Sequence, residues 1–369
     1  MNSQRHRLAA RRAAYNAFKR IKEDSFNSRK ENINLQIQTK TLKATPIDPP
    51  LKQPLLNNEY VIHKRKPSFK AKLKVEPHKE IIAELGVKIE EKVDGETDID
   101  RQNTNVFKEY GEEIEVYEKS LEIACHLQDC LSRHEITAGL RAKMIDWMIE
   151  VMTNFKCNDQ TFFMAISLMD RYLKLKSERK LICELHIIGV TSMFLASKYE
   201  DILPLRMEIM VKKIAHNKLT AESIRKYEHD ILTTLNYFLQ IPTSLEFMTR
   251  YMRELESFFK NEKELVKKMS LYLLKLSAHD YSFCGIKASK MAISAIYVAL
   301  KIGEQLLKRE ISNKEIMKQM INISGYTETE ITECAQRILI DAQNFDNLFP
   351  GLINLKRTHF TKLMEYIPK

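Results

Sequence analysis

The chain has 369 residues, of which 44% are hydrophobic and 29% charged, and its formal net charge is +10. This length has room for two or three domains, and the few glycines and prolines favour a mainly helical protein. Residues 1–20 are basic without the apolar run of a signal peptide, so we expect an intracellular protein. No apolar run approaches the roughly 20 residues of a membrane span, and the six cysteines form no Cys-x-x-Cys pair, so we expect neither a membrane partner nor a metal.

The net positive charge is concentrated in the N-terminal segment. Residues 1–80 have a net charge of +12, whereas the remaining residues have a net charge of −2. A nucleic-acid partner is therefore not expected for the body of the protein. Residues 1–100 also cluster prolines and contain few large apolar side chains, so they cannot bury enough surface to offset the entropy of ordering. We predict a disordered, basic regulatory tail over residues 1–100.

Two short motifs in this tail are candidate signals for proteolysis. Lys30-Glu31-Asn32 is a tripeptide that some cells read as a destruction signal, although such a tripeptide also arises by chance. The run from Arg5 to Leu8 fits the minimal Arg-x-x-Leu destruction box but lacks the asparagine expected downstream. The basic run 64–67 is a candidate nuclear import patch or simply a solvated charge run. Thr45, which precedes a proline, is a candidate phosphorylation site.

Helical periodicity begins at Val106 and continues to about Phe345. Breaks followed by good N-cap residues, such as Thr220, divide it into short helices. Before Pro242 we predict five helices, at about 138–155, 159–174, 182–200, 206–215 and 220–236. After it we predict five more, at about 243–259, 261–279, 286–302, 312–320 and 327–345. The third helix of each series is rich in small residues, which let neighbouring helices approach closely. The prediction is an all-α fold of two tandem five-helix bundles.

The first helix of the first bundle has an unusually wide apolar surface. Between Leu140 and Met152 the apolar residues span about 220° of the helical wheel, more than one core face requires. Lys143, Asp146 and Glu150 share the polar side. Two interpretations stay open: a central helix buried on both sides, or one core face plus an apolar groove for a peptide.

Arg141 falls in the middle of this apolar arc. A buried arginine needs a carboxylate to compensate for its lost hydration. Asp170, near the end of the next helix, is the predicted partner, and the pair is expected to be structural rather than catalytic.

Four motifs in this order resemble the signatures of the cyclin box. They are Leu140–Trp147, Met169–Leu173, Phe194–Asp201 and Tyr227–Leu232 with Leu235–Tyr237. Phe107–Ile114 also resembles the helix that precedes the box in the A-type and B-type mitotic cyclins. The resemblance covers about residues 106–350. It implies an N-terminal box with its preceding helix at 106–239, a C-terminal box at 240–350 and an extension at 351–369.

The resemblance implies a non-catalytic subunit that activates a cyclin-dependent protein kinase. The matching positions Lys198 and Glu228 are expected to contact the kinase backbone, with Tyr237 packed beside them in place of the more usual phenylalanine. An alternative for Lys198 and Glu228 is a plain surface ion pair. No catalytic motif, metal site or cofactor site is expected.

The resemblance also implies a groove on the first box helix that docks Arg-x-Leu motifs of substrates or inhibitors. Its residues are Leu140, Met144, Trp147, Glu150 and Leu185. Lys143 departs from the family, which usually has an apolar residue there. It lies beside Glu150 on the wheel, so it is expected to weaken docking or alter its specificity.

For the whole protein, the resemblance implies a mitotic-type regulator in the nucleus. A ubiquitin ligase of the anaphase-promoting type is the expected reader of Lys30-Glu31-Asn32 and of the Arg5–Leu8 motif. The alternative function is a transcription-associated protein of the same double fold that binds DNA or polymerase, but the near-neutral body argues against a DNA surface.

Overall fold

The computed structural model describes residues 98–127, 129–259, 263–307 and 314–358, and all regular elements in these ranges are helical. The leading helix is α1 (Asp98–Ala124). The first bundle follows it and comprises α2 (Ala138–Asn154), α3 (Asp159–Leu175), α4 (Leu185–Glu200), α5 (Met207–Ile209, continued by a wider π turn at Met210–Ile214) and α6 (Ala221–Thr234). The second bundle comprises α7 (Ser244–Glu254), α8 (Lys263–Ser277), α9 (Ala288–Leu307), α10 (Lys314–Ser324) and α11 (Glu328–Leu348), and a short α12 (Asn354–Thr358) follows it. The predicted pair of five-helix bundles with a preceding helix is confirmed.

Side-chain caps explain why the helices begin where they do. Thr137 accepts a hydrogen bond from the backbone N–H of Leu140 at the start of α2. Thr220, Thr243 and Thr327 form reciprocal capping boxes with the residue three positions later. Each cap satisfies backbone donors that the first turn leaves without a partner. The polar breaks in the sequence are therefore true helix boundaries.

The core of the first bundle surrounds α4. All residues from Ile187 to Ser197 are buried, so this helix has no solvent face over that length. Gly189 lets α2 approach it: a Cβ atom at this position would lie 2.5 Å from the Sδ of Met144. The small residues predicted for the third helix of the bundle, which is α4, thus allow α2 to pack closely on it.

A buried ion pair of the first bundle also contacts the second bundle. The guanidinium of Arg141 on α2 donates to both carboxylate oxygens of Asp170 on α3, at 2.8 and 2.6 Å. It also donates to the backbone carbonyl of Ala278 in the second bundle, at 2.9 Å. Burial alone would lower the pKa of Arg141, but the Asp170 charge and hydrogen bonds outweigh it and raise that pKa above its usual value.

α1 is fastened to the second bundle through polar side chains. Glu122 accepts hydrogen bonds from the N–H and the hydroxyl of Ser289, both at 2.7 Å. Glu118 pairs with Arg250 on α7 at 2.7 Å. Arg250 and Glu122 are both buried, so these contacts hold the leading helix in one position.

Asp146 lies on the polar side of the α2 helical wheel, but the fold shields it from solvent. Asp146 is only 4% exposed because α12 lies over it. Its carboxylate accepts hydrogen bonds from the backbone N–H groups of Asn354 and Leu355, at 3.2 and 3.1 Å. α2 is therefore a largely buried central helix, with a limited exposed strip at Leu140, Lys143, Trp147 and Glu150.

Candidate functional site

Lys198 and Glu228 meet where the end of α4 crosses α6. Their side chains form an ion pair with each other, and they are 38% and 17% exposed. The Lys198 ammonium also lies 4.2 Å from the centre of the Phe194 ring. Partial burial lowers the pKa of Lys198. The structure thus brings together the two residues that the resemblance implies for kinase contact.

Large apolar side chains lie exposed around this pair. Ile202 and Leu203, directly after α4, are 98% and 88% exposed. The other exposed members are Tyr199, Tyr237 and Phe238. Tyr199 donates to the side chain of Gln240 at 2.9 Å, which joins the end of α4 to the segment after α6. We call these five residues, together with Lys198 and Glu228, the α4–α6 surface. An exposed apolar surface of this kind is typical of a protein interface.

Tyr237 is held in place by a turn that α3 supports. Asn236 and Tyr237 both adopt positive φ angles, of 50° and 57°, so the chain reverses sharply at the end of α6. Arg171 on α3 donates to the backbone carbonyls of Phe238 and Leu239, at 2.5 and 2.8 Å. The arginine after Asp170 therefore positions the exposed rings of the α4–α6 surface.

Sequence reasoning missed part of the exposed apolar surface. Ile202 and Leu203 are two apolar residues inside a predicted helix break. Apolar residues at such a position could have indicated exposed apolar side chains. Tyr110 and Tyr117 on α1 are 51% and 61% exposed. They are seven residues apart and therefore share one face of the helix.

The five residues predicted to form a groove on α2 differ in how far they are buried. Met144 and Leu185 are buried, whereas Leu140 and Trp147 are half-buried. The ring of Trp147 lies 5.2 Å from that of His186, tilted by 53°. Of the five predicted groove residues, Leu140, Trp147 and half-buried Glu150 are the ones with open surface.

The charges beside this groove are mixed. Lys143 is exposed, and no ion pair within 4.0 Å joins it to Glu150 among the residues that the structure describes. Burial lowers the pKa of His186, and the positive charges of Lys218 and His216 lower it further. Lys218 therefore adds positive charge near His186.

Three further expectations concern the proteolysis motifs, metal binding and membrane spans. The proteolysis motifs, with Arg5, Leu8, Lys30, Glu31 and Asn32, lie outside the described residues. Within the described ranges, no cluster of three or more His, Cys, Asp or Glu side chains is arranged to hold a metal ion. None of the helices in those ranges is long and apolar enough to cross a membrane.

Comparison with known families matches both bundles. The family described as "Cyclin, N-terminal domain" matches residues 112–240, and the family described as "Cyclin, C-terminal domain" matches residues 242–348. A solved structure, a viral cyclin from herpesvirus saimiri, superposes with a TM-score of 0.50 at 13% identity, over 60% of this chain and 89% of that one. That likeness shows the fold.

Three similar proteins are named as A-type or B-type cyclins. Cyclin-A3-2 of Oryza sativa subsp. japonica is 30% identical over 61% of this chain and 58% of its own length. Putative cyclin-A3-1 of Arabidopsis thaliana is 34% identical over 53% of each chain. G2/mitotic-specific cyclin-B of Hydra vulgaris is 28% identical over 74% of each chain. The chain spans little more than half the length of the first two relatives.

Proposed function

The chain belongs to the cyclin family, and on that premise we propose that it is the regulatory subunit of a cyclin-dependent Ser/Thr protein kinase and controls cell-cycle progression. The observation that carries the proposal is the α4–α6 surface, where the Lys198–Glu228 pair lies among exposed apolar side chains. The A-type and B-type names of its relatives support a role in S phase or mitosis.

The mechanism follows from what a protein kinase needs. Its αC helix must be held inward so that the catalytic Lys–Glu pair forms and the activation loop is ordered. A rigid bundle with an exposed apolar surface can hold that helix, because burying Ile202, Leu203 and Tyr237 removes apolar area from water. Lys198 and Glu228 can then turn from each other to the kinase backbone, adding charge-assisted hydrogen bonds that fix the register. The chain itself supplies no catalytic group in this scheme.

The tail motifs extend the proposal to turnover and localisation. We propose that Lys30-Glu31-Asn32, and secondarily the Arg5–Leu8 motif, are read by a ubiquitin ligase of the anaphase-promoting type. The basic run at 64–67 supports import into the nucleus. Replacing Lys30, Glu31 and Asn32 by alanines should lengthen the protein's lifetime in dividing cells, and an unchanged lifetime would contradict the proposed signal.

The proposed function is tested by recovering the tagged protein from dividing cells and assaying histone kinase activity on the beads. The wild type should carry kinase activity, and the Lys198→Ala/Glu228→Ala variant should lose it. A matched control is Lys212→Ala/Glu208→Ala, which removes an exposed ion pair on α5 at 2.7 Å. Absence of any associated kinase at all stages of division would contradict the proposal.

A further inference from the structure

We propose that Cys130 and Cys284 form a site of reversible oxidation, at which hydrogen peroxide converts the two thiols to a disulfide that links the two bundles. Cys130 lies between α1 and α2, and Cys284 lies in the turn between α8 and α9. Both are free thiols in the structure. Neither belongs to the α4–α6 surface, so the inference goes beyond the proposed function and does not depend on it.

The two sulfur atoms are already in contact. The Sγ atoms of Cys130 and Cys284 are 3.9 Å apart and share a thiol hydrogen bond, although the residues are 154 positions apart in the sequence. A disulfide bond is about 2.05 Å long, so the two sulfurs have to approach each other by about 1.9 Å in total. That movement is roughly 1 Å for each sulfur. The fold has therefore brought two distant thiols close to bonding distance.

Hydrogen bonds of Tyr281 hold the two cysteine segments together. The Tyr281 hydroxyl accepts from the backbone N–H of Leu131 and donates to the carboxylate of Asp129, both at 3.1 Å. Those two residues flank Cys130 in the sequence. Tyr281 also begins the short turn that Cys284 ends, and the N–H of Cys284 donates to the Tyr281 carbonyl at 3.0 Å. One tyrosine thus positions both thiols.

Cys284 is the thiol that an oxidant reaches first. It is half-buried and lines a cavity of about 180 Å³ between the two bundles. A cavity of this size holds several water molecules, so hydrogen peroxide also fits. Cys130 is only 2% exposed and is not among the residues that line the cavity. Cys284 is therefore the thiol that attacks the peroxide, and Cys130 is the thiol that completes the disulfide.

Hydrogen peroxide is the only oxidant that the reaction requires. The Cys284 thiolate attacks one peroxide oxygen and the O–O bond breaks, which gives a sulfenic acid and a hydroxide that takes up the proton released by the thiol. The Cys130 sulfur then attacks the Cys284 sulfur and the S–O bond breaks, so the departing hydroxyl leaves as water with the Cys130 proton. Two thiols lose two electrons to the peroxide, and two water molecules form.

The surroundings of Cys284 make the first step slow at neutral pH. The hydrogen bond with Cys130, burial and the charge of Asp170 raise the pKa of Cys284 far above its usual value, against the positive charge of Arg141. Only the thiolate attacks peroxide, so the site stays reduced during a brief exposure and the disulfide accumulates under sustained oxidation. A thiol reductant reverses the modification by exchange.

The test is peptide mapping of the full-length protein after sustained exposure to hydrogen peroxide, with the remaining thiols blocked by N-ethylmaleimide. We expect the major linked peptide to join Cys130 and Cys284, to disappear after dithiothreitol, and to form faster at pH 9 than at pH 7. Cys284→Ser should abolish it, whereas Cys183→Ser, the matched control at an exposed cysteine, should leave it unchanged. Tyr281→Phe keeps both thiols and should slow the linkage by about threefold or more, because a positioning hydroxyl is lost.

The disulfide should also stabilise the folded chain. Peroxide treatment should raise the melting temperature of the wild type by about 5 °C or more, because the bond closes a long loop in the unfolded state. The same treatment should not raise the melting temperature of Cys284→Ser. The peptide map of the wild type needs no variant, so a substitution that fails to fold leaves the test intact.

Three results would overturn the inference. The first is recovery of Cys130 and Cys284 as free thiols or as separate sulfinic acids, with no linked peptide. The second is a major linkage of Cys284 to Cys125, which also lines the cavity. The third is an equal yield of the Cys130–Cys284 linkage in urea-unfolded protein, because the linkage would then owe nothing to the fold.

Discussion

Lys198 and Glu228 are each other's ionic partners in the isolated chain, at the rim of an exposed apolar surface. The Lys198 side chain is more than a third exposed, and exposed ion pairs contribute about 0–1 kcal/mol to stability. The pair is therefore a weak contributor to folding. Its position among Ile202, Leu203 and Tyr237 is better explained by a partner that both charges can reach.

The first prediction concerns this pair in the absence of a partner. Lys198→Ala should change the free energy of unfolding by less than about 1 kcal/mol, because water replaces most of what the pair loses. Urea denaturation of the purified protein measures this change, with Lys212→Ala as the control for removal of an exposed lysine. A cost of several kcal/mol would mean that the pair is structural, and loss of kinase activity could then reflect unfolding.

Arg141 is predicted to behave in the opposite way. Arg141→Met should destabilise the protein by about 3–5 kcal/mol, because it leaves the buried carboxylate of Asp170 without its partner. Denaturant unfolding measures the loss. Arg179→Met is the matched control, since that guanidinium is 67% exposed and its pair with Glu135 is 3.3 Å long.

A double substitution tests whether the loss of stability comes from the unpaired charge of Asp170. Arg141→Met/Asp170→Leu should recover part of the stability that Arg141→Met loses, because no unpaired charge then remains buried. If the double variant is less stable than Arg141→Met by several kcal/mol, the carboxylate has a further role beyond pairing with the guanidinium.

Gly189 offers a test of the close packing beneath the groove. Gly189→Ala should cost about 1–3 kcal/mol, because the new Cβ would lie 2.5 Å from the Sδ of Met144 and force that side chain to move. Thermal unfolding measures the effect. Gly139→Ala is the control, because a Cβ there meets nothing within 4 Å. The cost should shrink in a Met144→Ala background, and an equal cost in both backgrounds would refute the assigned contact.

Asp341 on α11 should make stability depend on pH. Burial, together with the nearby carboxylate of Asp280, raises the pKa of Asp341 to about 7, against the opposing charge of Arg337. In the unfolded chain an aspartate has a pKa of about 3.9, so the folded state holds more protons between these values. The contribution of Asp341 to stability therefore falls as pH rises from about 4 to 7.

Asparagine imitates the protonated carboxyl group and removes this dependence. Asp341→Asn should raise the melting temperature at pH 8, with a smaller effect at pH 5, as measured by calorimetry at both values. Asp346→Asn is the control, because the Asp346 side chain is 73% exposed. An equal effect of Asp341→Asn at the two pH values would contradict the assigned protonation.

The helical architecture was predictable from the sequence because periodicity and caps are local. Thr220 and Thr327 mark helix starts in the sequence and form capping boxes in the structure. The burial of Asp146 was not predictable, because it depends on α12, about 208 residues later in the chain. The Glu118–Arg250 ion pair was not predictable either, because its residues lie on α1 and α7, which are far apart in the sequence.

The sequence predicted the charged residues of the α4–α6 surface but only part of its apolar residues. The resemblance pointed to Lys198, Glu228 and Tyr237, and the structure adds Ile202 and Leu203, whose exposure depends on how the chain leaves α4. The charges beside the groove, on Lys143 and Glu150, were visible in the sequence.

Hydrogen exchange of the full chain, with and without a purified cyclin-dependent kinase, tests the central claim most directly. We predict that the kinase slows exchange in two segments, 196–204 at the end of α4 and 226–238 across α6 and its turn, and leaves α11 unchanged. Protection confined to other segments, or no protection where the kinase is bound, would contradict the assignment of the α4–α6 surface as the kinase-binding site.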